Sequence, residues 1–165
     1  MKNTLTDLLI KQTEEYDLAK KIFFTKEDDE YIPFTLRELI KEIFCLVYFF
    51  RKLNLNEGDK VAIISENRVE WVASDFACMF SKLVSIPVYT SLSNSQIKYI
   101  LNDSEAKVCF VSNSFLLDKI LSINQELKHL KSIVVFNNVD LKDGNEEHVV
   151  KYKDIISLND DKEDE

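Results

Sequence analysis

Between positions 58 and 136 the chain alternates short unbroken apolar runs with longer segments whose apolar residues recur every three or four positions. The runs 61–65, 84–89, 108–111 and 132–136 have the length and Val/Ile/Phe bias of strands covered on both faces. The segments between them, 67–82, 93–101 and about 114–127, read as helices. This order predicts a βαβαβαβ unit, hence a parallel sheet flanked by helices with right-handed crossovers. Asn67 is placed to cap the first of these helices, with Glu70 in its first turn, and Ser93 or Asn94 to open the second.

Upstream, Leu5, Leu8, Leu9 and Gln12 predict a short amphipathic helix over 4–15. Segments 21–25 and 31–34 read as the strands of a hairpin turning through the acidic 27–30, with Pro33 at an edge or strand end. Thr35 and Glu38 form a capping box before a long helix whose stripe is Leu36, Leu39, Ile40, Ile43, Val47, Phe50 and Leu53. Phe44, Leu46, Tyr48 and Phe49 exceed what one stripe needs. The run 43–50 is far shorter than the roughly 20 residues that span a bilayer, so burial on several sides is expected. A contact face for a partner or a membrane surface is the other reading. After 136 the pattern fades, and 153–158 reads as a strand or a helical turn. The whole is one α/β subdomain in three stretches: 1–57, a core over 58–136, and a polar acidic tail over 137–165.

Composition narrows the chemistry. A chain of 165 residues suits one domain, and 45% hydrophobic content supports a packed core. It holds two glycines, too few for glycine-rich phosphate loops. A net charge of −8, from 21 basic and 29 acidic residues, gives nucleic acid no electrostatic footing. Asp160, Asp161, Glu163, Asp164 and Glu165 read as a solvated, frayed end. Cys45, Cys78 and Cys109 are odd in number and lie in apolar runs, which predicts buried free thiols in a reducing, cytoplasmic setting. No secretory signal opens the chain, since acids and lysines interrupt its first residues.

Ligand sites in such sheets lie beyond the carboxyl ends of the strands. The candidates there are 65–68, 90–93, 112–114 and 137–138. Glu66, Asn67 and Arg68 are tempting as an acid and an anion clamp, but helix capping and a surface ion pair are the favoured account of them. Thr90, Ser91 and Ser93 suit a phosphate or an ordinary cap. Trp71 reads as core, and His129 and His148 as solvated. Ser65 and Ser112 stand where a phosphorelay receiver needs acids, which excludes that class. No residue is assigned as catalytic, cofactor-binding or metal-ligating.

Three stretches together resemble the opening subdomain of the adenylate-forming (AMP-binding) acyl-CoA synthetases, most closely the long-chain fatty-acid–CoA ligase group. They are FTLRELI (34–40), GDKVAIISENRVEWVASDFAC (58–78) and SIPVYTSLSNSQIKYILNDSEAKVCFV (85–111). One departure is the missing glycine in 81–84, where the family carries Ala-Gly. The resemblance implies an N-terminal fragment of a ligase that forms an acyl-adenylate and then an acyl-CoA. It also implies ATP, Mg²⁺ and CoA for the parent enzyme, held by nucleotide-binding and C-terminal domains that would be this chain's partners. The family's phosphate loop and catalytic lysine lie beyond the equivalent of residue 165, so the chain alone is expected to be inactive. The alternative is a non-catalytic interaction module, or a degenerate remnant, that uses the apolar helix 43–50 against a partner or a membrane.

Overall fold

The structure is a computed structural model that describes residues 4–27, 29–140 and 148–157. Helix α1 (Leu5–Glu15) starts at a capping box between Thr4 and Asp7, and a two-stranded antiparallel hairpin follows, β1 (Lys21–Glu27) and β2 (Glu30–Thr35). Thr35 and Glu38 cap α2 (Leu36–Lys52) as the spacing predicts. The core then runs β3 (Lys60–Ile64), α3 (Val69–Phe80), β4 (Val84–Val88), α4 (Asn94–Asp103), β5 (Val108–Val111), α5 (Ser114–Ile123) and β6 (Ser132–Val135). A short 3₁₀ turn, Asn124–Glu126, carries the chain from α5 toward β6.

The five main strands pair parallel in the order β4-β3-β5-β6-β7, where β7 is Val149–Lys151. Alternating side chains feed two apolar layers. Val61, Ile63, Val108, Phe110 and Val134 meet α2, α3 and the closing helix α6 (Tyr152–Ser157) on one face. Ala62, Ile64, Cys109, Val111 and Ile133 meet α4 and α5 on the other. Burial on both faces is why these strands read as unbroken apolar runs.

Two elements lie in the stretch read as a polar tail: β7 extends the sheet and α6 closes one layer, with Tyr152 and Ile155 buried. The acidic residues 160–165 and Asp28 of the hairpin turn lie outside the described residues. In α1 no residue is buried, and Leu5 and Leu8 stand exposed, although Leu9 touches the core. The α2 run 43–50 is mostly core, as expected, but Phe44 and Tyr48 face outward.

The scarcity of glycine has a structural counterpart. Helices α2, α3 and α4 all end in the same double hydrogen bond: Leu55 N–H to Phe50 and Asn54 N–H to Arg51, Leu83 to Cys78 and Lys82 to Met79, Ala106 to Leu101 and Glu105 to Asn102. This motif puts its penultimate residue in the left-handed region, where glycine is the usual occupant. Here Asn54 (φ 51°), Lys82 (φ 55°) and Glu105 (φ 55°) take that role. The glycine missing from 81–84 therefore served conformation, and Lys82 carries the strain. Lys82→Gly and Glu105→Gly are each expected to raise stability by about 1 kcal/mol, read from urea midpoints. Asn54→Gly is expected to change little, since asparagine tolerates this conformation. The Lys82–Glu57 ion pair is exposed, so losing it costs little.

The Gly-Asp turn has a comparable explanation. Gly58 adopts φ 84° and would meet no atom with an added Cβ, so conformation and not space requires it. Asp59 accepts from the Asn56 amide and pairs with Lys107 Nζ at 2.7 Å, tying the start of β3 to the start of β5. At the sheet edge Val84 N–H donates to Asp59, which turns the Ser85 and Pro87 backbone outward. Pro87 has no N–H to offer there, so the free edge is a poor template for another strand.

Candidate functional site

The strand order reverses between β3 and β5, the position where doubly wound sheets open a ligand crevice. Here side chains from the ends of three strands bond to one another. Ser112, after β5, donates its hydroxyl to Glu66 Oε2, after β3, at 2.7 Å. Arg68 grips Glu70 through two bonds, Nε to Oε2 at 2.8 Å and Nη2 to Oε1 at 2.6 Å. Its Nη1 donates to Asn137 Oδ1, after β6, at 2.8 Å, and lies 3.7 Å from Glu66 Oε1. The guanidinium also sits 5.4 Å above the Phe136 ring. Three of the fork's five N–H donors are thus engaged by a carboxylate and an amide, and its face lies over an aromatic ring.

The electrostatics agree. Burial opposes charge on Glu66, yet the Ser112 hydroxyl, a backbone amide and Arg68 hold its carboxyl below the usual range. Hydrogen bonding to Glu70 raises the Arg68 pKa further, against the opposing effect of burial. Both groups stay ionised and paired, which suits a clamp between elements and not a proton shuttle.

Of the other residues marked in the sequence, Asn67 does not cap α3. Arg68 holds the N-cap position and makes no side-chain cap bond, because a guanidinium has no acceptor to offer the free backbone amides. Ser93 caps α4 and closes a capping box with Gln96. Thr90 lies in the preceding turn, where its carbonyl and that of Leu92 accept from Lys119 Nζ. Trp71 is half-buried: it packs against the core as expected and also lines a cleft of about 450 Å³ with Ser65, Tyr89 and Thr90. His129 and His148 are exposed, as expected. All three cysteines are free and buried, and burial pushes the Cys109 thiol up to about 12, so it is inert as a nucleophile at neutral pH.

Sequence reasoning missed one group. Glu42 lies on α2 and accepts from the Tyr152 hydroxyl of α6 at 2.7 Å, 110 positions away. Burial pushes its carboxyl up to about 7, with Glu70 and Glu38 adding repulsion. Its signal was faint: an acid between Ile40 and Ile43 on the greasy side of a helix.

The sequence model of the AMP-binding enzymes matches residues 11–164. The chain belongs to the AMP-binding enzyme family. Fatty acyl-CoA synthetase A of Dictyostelium discoideum is 42% identical over 72 residues, 44% of this chain and 11% of that protein. Long-chain-fatty-acid–CoA ligase FadD15 of Mycobacterium bovis is 27% identical over 133 residues, 73% of this chain and 22% of that one. The crystal structure of the anthranilate CoA ligase AuaEII in complex with anthranoyl-AMP superposes with a TM-score of 0.77 at 24% identity, over 92% of this chain and 27% of that one. At that identity the likeness is one of fold.

This AMP-binding family chain thus spans a small part of its relatives' length. Its described residues do not fit a nucleotide: no glycine loop lies at the strand ends, and Arg68 is engaged by Glu70 and Asn137. Among the described residues no three acids, histidines or cysteines gather as a metal site. No step of nucleotide chemistry is assigned to them. Among the described residues, too, no helix is long and apolar enough to cross a membrane.

Proposed function

We propose that this chain is the N-terminal scaffold of a long-chain fatty-acid–CoA ligase and does not catalyse by itself. In the proposed whole reaction a fatty carboxylate attacks ATP to give an acyl-adenylate and pyrophosphate. The CoA thiol then takes the acyl group and AMP leaves. ATP, Mg²⁺ and CoA are held, in this reading, by nucleotide-binding and C-terminal domains that dock on this one. The family match supports an AMP-binding enzyme, and the likeness to a Dictyostelium fatty acyl-CoA synthetase and a mycobacterial long-chain-fatty-acid–CoA ligase supports the ligase class and fatty acids as substrates. The observation that carries the scaffold role is the side-chain network at the strand ends, where Glu66, Arg68, Glu70, Ser112 and Asn137 pair with one another.

The test is direct. The isolated chain, given palmitate or oleate with ATP, Mg²⁺ and CoA, is expected to release no pyrophosphate and form no acyl-CoA. Sustained turnover by the chain alone overturns the scaffold reading.

A further inference from the structure

We propose that the contact between α6 and α2 is a pH-controlled latch, closed while Glu42 is protonated and opening locally when Glu42 ionises. The proposal goes beyond the scaffold role and does not depend on it. Glu42 on α2 accepts from the Tyr152 hydroxyl of α6 at 2.7 Å. Cys45, three positions on and so on the same side of α2, is buried, and its thiol donates to the Ile156 carbonyl of α6 at 3.7 Å. Tyr152 and Ile155 are buried in this seam, and Ile156 packs against it. A carboxyl, a thiol and a phenol thus meet between two helices, away from the network at the strand ends.

Of the two helices, α6 is the one able to give way. It has 6 residues, well under the roughly 12 at which a helix begins to hold by itself, so packing alone keeps it in place. The strand before it, β7, has 3 residues and lies at the sheet edge, paired with β6. Helix α2 has 17 residues and a face set deep in the core. Releasing a short terminal element of this kind costs less than unfolding the sheet.

The charged groups around Glu42 come from three helices. On α2, Glu38 is held by the Thr35 cap and Lys41 is the next residue in the chain; on α3, Glu70 is gripped by Arg68; on α6, Lys153 and Asp154 are exposed. Burial is the largest influence and disfavours the charge. The Tyr152 hydroxyl and Lys41 favour it, while Glu70 and Glu38 oppose it. In the closed seam Glu42 therefore ionises at about 7 instead of 4.5. Lifting α6 admits water to the carboxyl and removes the effect of burial while the sheet stays paired. The closed form thus binds the proton more tightly than the open one, and the opening equilibrium constant grows about tenfold from pH 6 to pH 8.

Alkylation of the full 165-residue chain by N-ethylmaleimide, with the labelled peptides resolved by mass spectrometry, reads the latch at Cys45. Cys109 is the reference, since it is fully buried in the opposite layer and is reached by global unfolding. Cys45 is expected to react faster than Cys109 and, unlike Cys109, to respond little to dilute urea, because local opening exposes little surface. Dividing the Cys45 rate of the parent by that of Glu42→Gln cancels the ionisation of the thiol itself. This ratio is expected to rise about tenfold from pH 6 to pH 8. Circular dichroism confirms that the variant is folded. A ratio that stays level over this range overturns the proposal, because Glu42 then does not control the contact. Equal rates and equal urea responses at Cys45 and Cys109 overturn it as well, because the opening is then global unfolding.

Discussion

Replacing Phe110 by alanine is expected to destabilise the chain by about 4 kcal/mol. Phe110 is fully buried on β5, the middle strand of the parallel sheet. It meets Phe50 edge-on at 6.1 Å and stacks on Phe136 at 5.6 Å, and Phe136 in turn meets Tyr152 edge-on at 5.2 Å. Truncation removes one member of a continuous aromatic row joining α2, the sheet and α6. The strands on either side fix the backbone, so the cavity cannot collapse. Urea unfolding should show the loss, and the melting temperature should fall by about 10 °C. Phe115, which is 65% exposed, is the control: alanine there should cost under about 0.5 kcal/mol. Similar small losses at both sites would mean that the row is not what holds the layers together.

The second large effect is a dependence on pH. Glu42 ionises at about 7 in the folded chain, against an ordinary value of 4.5, because burial disfavours its charge. The groups facing it are the Tyr152 hydroxyl from α6, Glu70 from α3, and Glu38 and Lys41 from α2. Its folded pKa is raised, so the folded state binds the extra proton between these values. The associated stability is complete below pH 4.5 and is lost as pH rises through 7. The difference amounts to about 3 kcal/mol. Glu42→Gln keeps the shape and an oxygen acceptor for Tyr152 without the charge. The variant is expected to be the more stable protein above pH 7 and to equal the parent below pH 4.5. Asp59 and Glu66, whose carboxyls are held low, act with the opposite sign at more acidic pH and cancel in the comparison. A parent and variant whose difference stays flat from pH 4.5 to 8 would show that Glu42 does not titrate in this range.

These two sites mark how far the sequence could be read. Phe110 was legible as core because it sits in a four-residue apolar run, and every run named as a core strand became one, within a residue or two at the ends. The capping box at Thr35 was legible because it joins residues three positions apart, and Ser93 was one of two residues placed to open α4. Glu42 was not, because its partner Tyr152 lies in a stretch with no regular pattern. The same holds for β7, whose three residues form a strand by pairing with β6. Arg68 is the sharpest case at the candidate site. As a residue type it suited an anion clamp or a surface pair, and only its neighbours decided that Glu70, Asn137 and Phe136 would engage it.

The sequence by itself determined the element order as far as β6, the parallel sheet, the buried thiols and the kinship with AMP-binding enzymes. These rest on period, capping and local wording, which act over a few positions. Only the tertiary structure decided that Ser112 and Arg68 bridge the strand ends to Glu66, Glu70 and Asn137, that Trp71 lines a cleft, and that an acid is buried against Tyr152. Those outcomes depend on burial and charge pairing between residues far apart in the chain, and such energies exist only once the fold has brought the groups together.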